Sequence, residues 1–151
     1  MKAHLWVLLV PLVTVTCAQS VPSFPASFPT MPSHRLAGAK IFALWPVGYA
    51  LETSQEEHQF KAIFVLDRGK AKQELELLYS SRNPQAMSYA LVGMRKLDQN
   101  RYAELLAEAR VSELEVTTMS GCVGETKTLR TVASELDAGK YDRWLRWMPS
   151  F

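Results

Sequence analysis

Between Ser54 and Ala109 the chain carries four apolar-periodic segments separated by gaps of about two to four residues, a spacing that makes consecutive helices fold back antiparallel. Each segment has its own start signal. Ser54-Gln-Glu-Glu57 is a capping box, in which the serine oxygen accepts from the third helical amide; Phe60, Ile63, Phe64 and Leu66 form the stripe behind it, ended by Asp67-Arg-Gly69. A second helix from about Lys70 to Ser81 turns Leu75, Leu77, Leu78 and Tyr79 inward and Glu74 and Glu76 outward. Asn83-Pro84 supplies an N-cap with proline at the first helical position. The third helix, Pro84 to Leu97, sets Met87, Leu91, Met94 and Leu97 at helical spacing, with Ala90 and Gly93 allowing close approach. Asp98 caps a fourth, Gln99 to Ala109, with Tyr102, Leu105 and Leu106 buried. The pattern predicts a mainly α, compact stack of antiparallel helical hairpins.

The flanks are less regular. Arg35 to Leu51 is strongly apolar but is interrupted by Pro46 and Gly48, which points to an irregular crossing over the core, with Trp45 as buried filling. Leu114, Val116 and Thr118 alternate with polar residues, so one short extended segment is expected near 112–120, with no second strand to pair it. After a turn at Gly121 and Gly124, a last helix from Thr126 to Asp137, capped near Thr126, closes at Gly139. Tyr141, Trp144, Leu145, Trp147 and Phe151 form an aromatic tail that docks on the domain or on a partner.

The start of the chain is an address. Met1-Lys2, the apolar run Leu5 to Val13 and Thr16-x-Ala18 are the three parts of a secretory signal peptide over residues 1–18. A membrane span needs roughly 20 apolar residues, and this run contains Pro11 and stops well short of that length. Residues 19–34 carry Pro22, Pro25, Pro29 and Pro32 and read as a proline-rich tether, which leaves 35–151 as a single helical domain. Localisation is therefore exported, periplasmic or secreted, with no transmembrane span in the mature chain. A lipoprotein anchored through Cys17 is the lesser alternative, since Thr14 and Thr16 stand where such signals carry Leu and Gly or Ala.

Helix 83–98, Asn83-Pro-Gln-Ala-Met-Ser-Tyr-Ala-Leu-Val-Gly-Met-Arg-Lys-Leu-Asp98, preceded by Glu74-Leu-Glu-Leu-Leu-Tyr79, resembles a HEAT-like helical hairpin of the kind found in uncharacterised exported bacterial domains. The resemblance covers about Ser54 to Gly139 and implies no catalytic residues. No second copy recurs at a fixed period, so an irregular helical domain is expected rather than a solenoid.

Chemical motifs are incomplete throughout. Net charge is +2 in 151 residues, which suggests no nucleic-acid partner. Gly121-Cys-Val-Gly-Glu-Thr-Lys127-Thr128 approaches a phosphate loop, but Thr126 occupies the position where glycine must precede the lysine. Cys122, the single cysteine left after signal removal, could be a reactive thiol, with His34 and His58 as candidate activators; a small hydrophobe in the core needs fewer assumptions. Glu56, Glu57 and His58 lack the i, i+4 partner of a helical metal site and read as charges on a solvated face. No catalytic, cofactor or metal residues are assigned. The expectation is a non-catalytic exported module for protein interaction or envelope structure, bound to an unknown protein or envelope component through Trp144, Trp147 and Phe151; the alternative is a small envelope enzyme or redox protein using Cys122. Cleavage after Ala18 predicts that exported material begins at Gln19, which intact-mass measurement checks; a retained Met1 or an acylated Cys17 would contradict it.

Overall fold

The computed structural model describes residues 31–148, so the signal peptide, Cys17, most of the tether and Phe151 lie outside the described residues. The elements run α1 (Pro32–Leu36), α2 (Gln55–Ile63), α3 (Arg68–Ser80), α4 (Pro84–Leu97), α5 (Gln99–Ala109), β1 (Glu115–Ser120), β2 (Val123–Thr128), α6 (Leu129–Asp137) and α7 (Asp142–Trp147). The chain is mainly helical, with one small antiparallel sheet among the described residues.

Local capping chemistry sets most helix starts. Ser54 Oγ accepts from Glu57 N–H at 3.0 Å, Asp98 Oδ1 from Arg101 N–H at 3.0 Å, and Asn83 Oδ1 from both Gln85 and Ala86 N–H. Asn83 also donates its amide to Ala39 C=O at 3.0 Å, which ties the cap to the segment after α1. The boundary between α2 and α3 differs from the expectation. Asp67 caps α3 by accepting from Lys70 N–H, so Arg68 and Gly69 begin a helix instead of ending one.

α4 is the centre of the domain, with ten of its fourteen residues buried, and it packs against α3, α5, α6 and β1. Gly93 explains how closely α3 approaches: a Cβ there would lie 2.6 Å from both Leu75 methyls, well inside contact distance. Tyr89, wholly buried, accepts from Ala43 N–H at 2.9 Å and donates to Ala43 C=O at 3.0 Å. Around it Phe42, Phe60, Phe64, Tyr141 and Trp144 join in edge-to-face and stacked contacts.

Several assignments of inside and outside change. Leu77 is exposed and Glu74 is buried, because Glu74 Oε2 accepts the Ser33 N–H at the start of α1 at 3.1 Å. Pro32 therefore opens a packed helix where the tether was expected to run on to His34. Glu57 is buried rather than solvated, since its Oε1 accepts from Trp144 Nε1 at 3.1 Å and pairs with Lys61 at 2.7 Å. His58 is exposed, as expected. Trp45 is half-buried against the core.

The extended segment does have a partner. β2 pairs with β1 from Glu115↔Thr128 to Ser120↔Val123, and α6 starts at Leu129 with Thr128, not Thr126, as its cap; it is not the last helix, since α7 follows it. The residues 121–128 that approach a phosphate loop are thus a hairpin turn and a strand. Tyr89→Phe should strand both polar groups of Ala43 in the core and destabilise the fold by about 1–3 kcal/mol, lowering the melting temperature by several degrees. His58→Ala should leave it unchanged, and thermal melts of the two beside the parent check both.

Candidate functional site

The surface that stands out is built where the segment after α1 meets the tip of the hairpin. Ser120 and Val123 are paired, so Gly121 and Cys122 form a two-residue turn; Gly121 has φ +57° and Cys122 is not in the positive-φ region, the pattern of a type II′ turn. β1 has a neighbour on its other side. Phe42 N–H donates to Thr117 C=O at 2.8 Å and Met119 N–H to Phe42 C=O at 3.2 Å, so residues from 42 run parallel beside β1 toward the turn. There Gly48 N–H donates to Gly121 C=O at 2.9 Å, and Gly121 N–H to Pro46 C=O at 3.1 Å.

This junction carries a second turn. Val47 and Glu52 exchange backbone hydrogen bonds at 2.8 and 3.1 Å around Gly48 to Leu51. Gly48 has φ +71°, and Leu51 has φ +51°, a left-handed conformation that costs a non-glycine residue about 1–2 kcal/mol. The strained leucine is also 66% exposed, its neighbour Tyr49 is 98% exposed, and Val123 across the junction is 70% exposed. Cys122 is exposed beside them. A large apolar residue held in strain without burial has no packing reason to be there, and such positions concentrate at functional sites.

Below the tip lies a groove of about 200 Å³, lined by Leu44, Trp45, Thr118, Val123, Lys127 and Tyr141 among others. Its charges are spent on one another. Glu135 accepts from Lys140 at 2.7 Å, from Lys127 at 3.0 Å and from the Tyr141 hydroxyl at 2.9 Å. Burial works against the Glu135 carboxylate, but hydrogen bonds from Lys140, Lys127 and Tyr141 outweigh it and hold its pKa below the ordinary 4.5. Burial likewise opposes the Lys127 ammonium, and the carboxylates of Glu135 and Glu125 raise its pKa regardless. Burial and then the Glu135 carboxylate push the Tyr141 phenol upward. All three pKa values move further from pH 7, so Glu135 stays charged, Lys127 stays charged and Tyr141 stays neutral, and together they lock a wall rather than exchange protons. Among the described residues no three His, Cys, Asp or Glu side chains assemble as a metal would require.

The residues expected to bind or react fall in different places. Trp144 is buried, stacked on Phe60 at 5.3 Å with 15° between the ring planes, and is a core residue rather than a partner contact. Trp147, on the last turn of α7, is 81% exposed. Cys122 is at the hairpin tip instead of in the core. Tyr49 and Leu51 end the apolar stretch expected to cross over the core, yet both are exposed; the Pro46-Val-Gly48 break marks their loop, but nothing local says that the loop lands on Gly121. Comparison with protein-family models, with curated proteins and with solved structures finds no match.

Because Glu135 is depressed in the folded state, its stabilising contribution is complete above pH 4.5 and is lost as pH falls toward its folded value. Glu135→Gln should therefore lower stability at neutral pH and shrink the loss of melting temperature on acidification below 4.5, which melts across a pH series measure.

Proposed function

We propose that this chain is an exported, non-catalytic interaction domain whose working surface is the apolar tip made by Tyr49, Leu51, Cys122 and Val123. The observation that carries the reading is the exposure of three large apolar side chains on two turns bonded to each other, one of them strained. An exposed apolar cluster on a preset backbone is ready to be covered by a protein or envelope component with little ordering of its own. Export rests on the Met1 to Ala18 sequence, and a HEAT-like affinity on the 83–98 pattern. Trp147 offers a further contact on α7.

Cys122 keeps the alternative of thiol chemistry alive, because an exposed thiol is accessible to a reactant. One experiment separates the two. The immobilised chain is exposed to extract from the native envelope, and a bound component is sought by mass spectrometry. Tyr49→Ser, Leu51→Ser and Val123→Ser combined should abolish capture with an unchanged melting temperature, while Cys122→Ser should retain it. Capture that survives the triple change defeats the tip as the surface, and capture lost with Cys122→Ser alone transfers the function to the thiol.

A further inference from the structure

The hairpin has one open side. Leu129 N–H donates to Leu114 C=O at 2.8 Å, and with the Glu115↔Thr128 register this sets the alternation of the ladder: residues 123, 125 and 127 bond toward β1, while the N–H and C=O of Gly124 and Thr126 point away from it. The far edge of β1 is taken by Phe42, so the unpaired groups lie along β2. Neither proline nor a bulge blunts this edge, and Gly124, Glu125 and Thr126 are all exposed.

The side chains of β2 restrict what fits there. Glu125 and Lys127 lie on one face, and Gly124, Thr126 and Thr128 on the other. A second β2, antiparallel about a twofold axis, must match outward-bonding residues with outward-bonding residues. Registers centred on Gly124, Glu125, Thr126 or Lys127 meet that condition, and centring on Gly124 pairs only residues 123–125 of the strand and sets Glu125 opposite Val123, with no charge complementarity. Centring on Glu125 sets two glutamates directly opposite each other, and centring on Lys127 sets two lysines opposite; both are repulsive. Centring on Thr126 sets Glu125 opposite Lys127 of the second copy at both symmetry-related positions, in closely spaced non-hydrogen-bonded pairs, and sets Thr126 against itself. Within each copy Lys127, its side chain 9% exposed, is already paired with Glu125 at 3.1 Å and Glu135 at 3.0 Å, so Glu125 of the second copy joins an existing charge cluster at the edge of the strand.

We propose that β2 is a homodimerisation edge, closed by a second copy of this chain through antiparallel β2–β2 pairing centred on Thr126. The partner is a copy rather than a foreign strand because the complementary charges stand two residues apart on the same strand, which makes the edge complementary to itself. The result is a four-stranded sheet across the twofold, with the two hairpin tips at opposite ends. It does not depend on the function proposed for the tip.

Sedimentation equilibrium over a dilution series of the full purified chain tests this, together with amide exchange at residues 124 and 126. A monomer–dimer equilibrium is expected, weakened by salt, with both amides protected only in the dimer. Thr126→Pro removes an amide that bonds only across the interface and should weaken association by about tenfold or more. Glu125→Lys alone and Lys127→Glu alone should each weaken it similarly, and mixing those two variants should restore a dimer, because opposite charges then meet at both positions. Melting temperatures confirm that each variant is folded; Glu125→Lys changes an exposed residue, so it keeps the test valid if Lys127→Glu unfolds through loss of Glu135. A chain that stays monomeric throughout the series overturns the proposal, as does a dimer indifferent to Thr126→Pro and Glu125→Lys. Protection of residues 124 and 126 in the dilute monomer overturns it too, by giving the edge to the chain's own residues.

Discussion

The Tyr89 hydroxyl fastens the central helix to the irregular segment around Ala43, alongside the Phe42–Tyr89 ring contact and the Asn83–Ala39 hydrogen bond. Ala43 belongs to an irregular segment whose backbone cannot satisfy itself as a helix would, and it is buried. Leaving that peptide group unpaired would cost about 1–3 kcal/mol. By accepting from Ala43 N–H and donating to Ala43 C=O, the phenol takes up both groups at once. The segment is thereby fixed to the central helix, Phe42 is set beside β1, and residues 46–48 arrive at the hairpin turn. The surface at the tip depends on this anchor together with the backbone bonds from Phe42 and Gly48 to the hairpin.

A second set of constraints fastens the C-terminal helix. Lys96 donates its ammonium to the carbonyls of Leu145 and Met148 at 2.9 and 2.7 Å, where a short helix would leave them bare. Arg95 pairs with Asp142 at the other end at 2.9 Å. Between them Trp144 stacks on Phe60 and bonds Glu57. Two cations adjacent on α4 thus clamp both ends of α7, which explains why a six-residue helix, too short to be stable alone, forms here.

What could be seen in the sequence was what local chemistry decides. Ser54, Asn83 and Asp98 each satisfy amides two or three residues away, so the starts of α2, α4 and α5 are legible, as is the small-residue face of α4 at Gly93. The second strand was not, because Val-Gly-Glu-Thr-Lys-Thr has no apolar alternation; the available signal was Gly121-Cys122 between two extended runs, a two-residue turn with glycine first. Charge alone puts Glu57 and Glu74 on the outside. Their positions told otherwise: Glu57 falls on the stripe of Phe60 and Phe64, and Glu74 on that of Ala71 and Leu78. Trp144 and Trp147 are one residue type in one short helix, and only the tertiary partner of the first separates their fates.

The bond from Trp144 to Glu57 spans 87 positions of sequence, whereas α3, α4 and α5 meet through adjacent hairpins. Closing a long loop carries an entropic penalty that local contacts avoid, so the three-helix nucleus can form before the aromatic cluster is complete. A ribosome releases Glu57 and Phe60 long before it releases Trp144. Until then Glu57 lacks its indole donor and Phe60, though already able to meet Phe64 and Tyr89, lacks its stacked partner, and the last described helix to emerge is the one that supplies both.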